Sequence, residues 1–209
     1  MTALILVDIQ NDFLPGGALA VPQGDEIIPI VNELMPRYEL VVATQDWHPE
    51  NHISFADNHP GKNAGETIDL DGIPQTLWPV HCVEGSEGAQ FSEHLDTELI
   101  NHIFKKGSDP KIDSYSGFFD NGHQADTGLS QFLKSKGVTE VHLVGLATDY
   151  CVKFTALDAL TEGFKVTLIE DACRGVDLQE GDVEYALGDL KQKGANIVSS
   201  NQVLTVNEK

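Results

Sequence analysis

The feature that most constrains this chain is a series of short, unbroken apolar runs separated by longer stretches with helical spacing. The runs are ALILV (3–7), LVVAT (40–44), a weaker LINHIF (99–104), VHLVGL (141–146), KVTLIE (165–170) and ANIVSS (195–200). They are rich in β-branched residues and lack alternating polar positions, the pattern of strands buried on both faces. Between them lie four candidate helices: DEIIPIVNELMPRY (25–38), GLSQFLKSKG (128–137), DYCVKFTALDALTEG (149–163) and DVEYALGDLKQKG (182–194). Three of these end at or near a glycine stop. The order predicts an α/β fold, a doubly wound and mostly parallel six-stranded sheet with helices on both faces, Rossmann-like in layout.

At 209 residues the chain suits one domain with a substantial core, taken as 1–209. The exception to the periodicity is an excursion at about 46–98, rich in Asp, Asn, Gly, Pro and His. So long an irregular segment inside a compact domain points to function. With 13 basic against 33 acidic residues, the formal charge of -20 repels polyanions and argues against nucleic acid and anionic membranes as partners. Cys82, Cys151 and Cys173 form neither an even framework nor a CxxC pair, which predicts a reducing, cytoplasmic setting. The apolar run Ala3 to Val7 is too short for a signal core or a membrane span. Neither a P-loop nor a GxGxxG is present.

Ligands of open parallel sheets bind at the carboxyl ends of the strands. In this chain the first predicted strand ends at Asp8, the second at Asp46 and the third near Lys106, while the fourth leads through Gly145 to Cys151. A carboxylate directly after five apolar residues is expected to be buried and to need a partner, which Lys106 would supply. Cys151 falls in the first turn of the predicted helix 149–163. There the macrodipole and free N–H groups would lower its pKa and could hold a developing oxyanion. Asp46 and His48, spaced i and i+2 at the end of an extended run, leave on one face. With His81 of WPVHC they make an N/O ligand set for zinc, iron or manganese, and His52 is a candidate fourth ligand. His59, His94, His102 and His123 read as solvated loop residues, and Cys82 and Cys173 as packing residues.

Assembled in order, these residues resemble the nicotinamidases of the isochorismatase-like cysteine hydrolase superfamily, nearly end to end. The segments that carry the resemblance are VDIQNDF (7–13), TQDWHPENHISF (44–55), LWPVHC (77–82), KG (106–107), YSGF (115–118) and GLATDYCV (145–152). The resemblance implies a catalytic triad of Asp8, Lys106 and Cys151, and a divalent metal, zinc first, held by Asp46, His48 and His81, with His52 left open. It also implies a substrate pocket walled by Phe13, Trp78 and Tyr115. A cis peptide between Leu146 and Ala147 would aim the N–H groups of Ala147 and Cys151 at the oxyanion. The implied activity is hydrolysis of nicotinamide to nicotinate and ammonia in NAD salvage, with pyrazinamide as a second substrate. Three alternatives stay open: an amidohydrolase of N-carbamoyl or ureido compounds, a metal-hydroxide hydrolase with a structural cysteine, and a non-catalytic binding module. A homo-oligomer also stays open.

Overall fold

The computed structural model describes residues 1–205, so the last four residues of the expected 1–209 span lie outside it. In chain order the strands are β1 (Thr2–Val7), β2 (Val41–Asp46), a hairpin of β3 (Thr67–Leu70) and β4 (Ile73–Thr76), β5 (His102–Lys106), β6 (Glu140–Leu146), β7 (Lys165–Arg174) and β8 (Asn196–Val198). Six of them form one sheet in the order β5-β2-β1-β6-β7-β8, and every pairing in it is parallel. The helices are α1 (Ile27–Leu34), α2 (Leu129–Ser135), α3 (Lys153–Thr161), α4 (Asp182–Gln192) and α5 (Ser200–Thr205).

The unalternated strands bury both faces. Leu4, Leu6, Val144 and Ile169 pack with Ile27, Val31 and Leu34 of α1, while Ile5, Val7, Leu143 and Leu168 pack with Leu129, Ala156 and Leu190 of α2, α3 and α4. The fold is therefore the doubly wound α/β sheet expected, helices covering both sides. β1 and β6 lie side by side, and the chain leaves them toward opposite edges of the sheet, which opens a crevice beyond their carboxyl ends.

Several element boundaries differ from the sequence pattern. The weak third run begins as a 3-10 turn at Thr97–Leu99, and the strand is shifted to His102–Lys106, so Lys106 belongs to the strand itself. Asn101 sets that shift: its side-chain oxygen accepts from Val41 N at 2.8 Å and its own N–H donates to Val41 O at 2.8 Å. The last run divides after Val198, because Asp171 accepts from both the backbone N–H and the hydroxyl of Ser200 and thereby starts α5. The predicted helix 149–163 opens instead as a π-helical turn, Thr148–Val152, before α3. The excursion contributes the β3–β4 hairpin, which periodicity did not reveal.

Candidate functional site

β1 delivers Asp8 at the point where the chain turns away, with a positive φ of 49° that aspartate tolerates better than most side chains. β5 delivers Lys106, and the turn after β6 delivers Cys151. The three side chains meet, as the strand-end argument expects. Lys106 Nζ lies 2.9 Å from Asp8 Oδ2, 3.4 Å from Cys151 Sγ, 2.5 Å from Asp46 Oδ1 and 2.8 Å from the Ser114 carbonyl. Thr44, on β2, donates its hydroxyl to Asp8 Oδ1 at 2.6 Å. All of these groups are buried.

Burial dominates the electrostatics here. It pushes the Asp8 carboxyl above its usual value against the pull of Lys106, with Asp46 adding to the rise. Burial alone would depress the Lys106 ammonium, but Asp46 and Asp8 together hold it well above its ordinary value. The Cys151 thiol is driven well above its ordinary value by burial, against Lys106, with Asp8 and Asp46 adding. This corrects the expectation of a thiol acidified by a helix N-terminus: the π-helical turn buries the sulfur, and desolvation of the anion outweighs the dipole. The thiol is neutral at rest, beside a carboxylate made more basic by the same burial.

Asp46, at the end of β2, faces His48 and His81. His48 Nε2 is 3.2 Å and His81 Nε2 3.6 Å from Asp46 Oδ2, and one donor atom from each of the three residues lies within 4.8 Å of the others. The outward nitrogens are already engaged: His48 Nδ1 donates to the Gly107 carbonyl at 2.7 Å and His81 Nδ1 to that of Pro79 at 2.8 Å. Each bond turns Nε2 toward the centre, the arrangement that orients metal-binding imidazoles, and against burial the Asp46 carboxylate raises the His48 pKa in the metal-free protein. Gly107, with φ 67°, leaves room for the His48 ring where a Cβ would overlap it. His52 stacks on His48 with ring centroids 4.1 Å apart, and bonds Ser54 Oγ through Nδ1 at 2.7 Å. Its buried Nε2 has no partner among the described residues. Burial, with His48 beside it, lowers its pKa to about 4 and keeps the lone pair available at neutral pH. An acid oxygen and two inward imidazole nitrogens fit a divalent first-row ion, and His52, whose donor atom approaches those of His48 and Asp113 instead, stands beside that set.

Between these two groups lies a cavity of about 30 Å³, lined by Phe13, Leu19, Trp78, Tyr115, Ala147 and Val176 along with Cys151, Asp46 and His81. The three aromatic residues expected there are present. Trp78 Nε1 and Gln75 Nε2 both donate to the Tyr115 hydroxyl, at 3.3 and 3.2 Å. Tyr150, before the cysteine, also lines the cavity and packs edge-on against Trp78. The Leu146–Ala147 peptide is cis. The Ala147 carbonyl accepts from Tyr150 N and Val152 N, each at 3.1 Å, which fixes the π-helical turn.

Sequence reasoning missed Asp113, which lines the cavity and brings an oxygen within 4.8 Å of donor atoms of His48 and His52. It is one of two Asp in KGSDPKIDSYSGF, with no spacing to distinguish it from Asp109. Asp149 was also missed. It accepts from Val176 N at 2.9 Å and Asp177 N at 2.7 Å, tying the nucleophile turn to the loop that carries Val176. Among the histidines expected to be solvated, His94, His102 and His123 are exposed, whereas His59 is half-buried and donates to the Ile53 carbonyl.

Residues 2–202 match the model of the isochorismatase domain family. The chain belongs to that family. This isochorismatase-domain protein is 50% identical over 199 residues, 93% of each chain, to a nicotinamidase of Escherichia coli (strain K12). A solved nicotinamidase and pyrazinamidase of Acinetobacter baumanii superposes with a TM-score of 0.94 at 50% identity, covering 97% of each chain. A pyrazinamidase of Pyrococcus horikoshii, solved in complex with zinc, is 42% identical over 95% of this chain and 98% of its own, with a TM-score of 0.77. No helix among the described residues is long and apolar enough to cross a membrane.

Proposed function

We propose that this chain is a nicotinamidase, hydrolysing nicotinamide to nicotinate and ammonia as a step of NAD salvage, with pyrazinamide as a second substrate. The observation that carries the reading is the convergence of Asp8, Lys106 and Cys151 beside the Asp46, His48 and His81 donors and a narrow aromatic cavity. Its similarity to relatives named as nicotinamidases supports the same substrate.

In the mechanism, Asp8 takes the thiol proton as Cys151 Sγ attacks the carboxamide carbon, so no free thiolate has to persist in the buried site. The carbonyl π pair moves onto oxygen, where the N–H groups of Ala147 and Cys151 receive the charge. When the adduct collapses, the C–N bond breaks and Asp8 returns its proton to the leaving nitrogen, releasing ammonia. Water then attacks the thioester while Asp8 accepts a proton from it. The second adduct expels the Cys151 sulfur, which regains its proton from Asp8, and the acid departs, giving up its own proton to solvent as nicotinate. Lys106 balances the negative charge that moves between Asp8 and the adduct. Phe13, Trp78 and Tyr115 hold the ring flat. Asp46, His48 and His81 would hold the ion, zinc by the chemistry of the donors and by likeness to the zinc-bound pyrazinamidase, with His52 beside it. When bound, it would supply Lewis acidity beside the cavity that Asp46 and His81 line.

Cys82, Cys151 and Cys173 are each buried and unbonded, which supports a reducing, cytoplasmic setting. The deciding experiment measures ammonia release from nicotinamide, with N-carbamoyl compounds run in parallel. Turnover of nicotinamide and a thioacyl mass shift on Cys151 in quenched samples are expected. Preferential turnover of the carbamoyl compounds would overturn the assignment.

A further inference from the structure

The segment from Asp8 to Phe13 does more than deliver a base and a pocket wall. Gln10, fully buried, pairs with the main chain of Asp46 in both directions: Asp46 N–H donates to Gln10 Oε1 at 2.8 Å, and Gln10 Nε2 donates to the Asp46 carbonyl at 2.8 Å. A carboxamide has the donor–acceptor layout of a peptide group, so Gln10 supplies a rung past Val7 and Thr44, the last pair of the β1–β2 ladder. Its second N–H reaches the Ala89 carbonyl at 2.9 Å, which also accepts from Gln45 Nε2 at 2.9 Å.

Two residues further on, Asp12 does the same for the other side of the metal set. Its Oδ2 accepts from Cys82 N at 2.7 Å and its Oδ1 from Ala18 N at 3.2 Å. Gly88 closes over the carboxylate, where any Cβ would overlap it. Cys82 has a positive φ of 46°, a conformation a non-glycine residue keeps only when its surroundings hold it. Its carbonyl in turn accepts from His48 N at 3.0 Å. Asp12 thus bears on His81, the neighbour of Cys82, and on His48 through the Cys82 carbonyl. Neither Gln10 nor Asp12 lines the cavity.

We propose that Gln10 and Asp12 are positioning residues for the metal: each fixes the main chain under one part of the Asp46, His48 and His81 set, and together they determine its affinity for the ion. The inference rests on the metal reading given under the proposed function.

The test strips the purified full-length protein of metal and titrates it with zinc against a chelating dye. Gln10→Ala and Asp12→Ala are each expected to weaken zinc binding about 10- to 100-fold, the range for lost outer partners of metal ligands. Asp12→Asn, which keeps an acceptor oxygen for Cys82 N, restores most of that affinity. The rate at which iodoacetamide modifies Cys151 in the metal-free variants, read as a mass shift on its peptide, stays at the wild-type value. Unchanged zinc affinity in both alanine variants, even with a lowered unfolding midpoint, overturns the proposal, because it describes bracing of the fold alone. So does slowed Cys151 modification that tracks the loss of zinc. If Gln10→Ala does not fold, Gln10→Glu keeps the acceptor for Asp46 N–H and loses both donors, and the same fall is expected of it. A wild-type protein that binds no zinc overturns the metal reading itself, whereas wild-type binding with full affinity in the variants overturns this proposal alone.

Discussion

Asp8, Lys106 and Cys151 stand at or just past the ends of β1, β5 and β6 of one sheet, with Lys106 reaching across β2 to Asp8, whereas His52 and His81 are carried by irregular chain between β2 and β5. The first group inherits its spacing from the ladder. Parallel strands lie just under 5 Å apart, so Asp8 and the turn after β6 start from adjacent strands, and the long Lys106 side chain spans the one strand, β2, that separates it from Asp8. The second group has no ladder beneath it, and its spacing depends on side-chain brackets such as Gln10, Asp12 and the glycine at 107. One half of the site is therefore set by the fold and the other by individual hydrogen bonds, and substitutions should affect the two halves differently.

The sharpest way to break this contrast is Cys151→Ala. Turnover is expected to fall by about 10⁴-fold or more, as for other lost nucleophiles, while zinc content and thermal unfolding stay unchanged. Substantial residual turnover would move the chemistry to the metal side. Lys106→Met comes next. It leaves Asp8 and Asp46 buried without their cation, and urea unfolding of the metal-free protein should show a loss of about 3–5 kcal/mol. A loss below about 1 kcal/mol would mean that the two halves are not joined through this ammonium.

A pH titration examines the metal side by itself. The folded pKa of His52, about 4, lies below its ordinary value of 6.5, so between those values the unfolded chain binds the extra proton. Stability of the metal-free protein should therefore be complete above pH 6.5, fall as pH drops toward 4 by up to about 3 kcal/mol, and lose nothing more from this group below that. His52→Gln should flatten that part of the profile, and an unchanged slope would contradict it. The smallest effect is expected from Tyr115→Phe, which removes the acceptor for Trp78 and Gln75. A cost of about 1 kcal/mol, read as a several-fold rise in KM with kcat nearly unchanged, would locate the residue in binding.

The same contrast explains what could be read from the sequence. Strand ends follow from apolar runs, so Asp8, Asp46 and Cys151 could be placed at one end of the sheet before any coordinates. Lys106 could be placed only approximately, because its run is weak and the ladder starts where Asn101 pairs with Val41. Gln10, Asp12 and Asp149 act through the main chain of distant segments and Asp113 through the side chains of Gln75, His48 and His52, and no periodicity records such contacts. The β3–β4 hairpin was missed because its burial is slight: only Gln75 among its residues is fully buried, so there was little apolar pattern to find. The thiol was misjudged in sign, since sequence locates a helix start but not the depth at which it is buried.

The cavity has one further consequence. At about 30 Å³ it accommodates one or two water molecules, less than a pyridine carboxamide occupies. Admission therefore requires rim side chains such as Leu19, Tyr150 and Val176 to part, and such openings take microseconds to milliseconds. A narrow entrance of this kind should favour flat single-ring amides over bulkier ones.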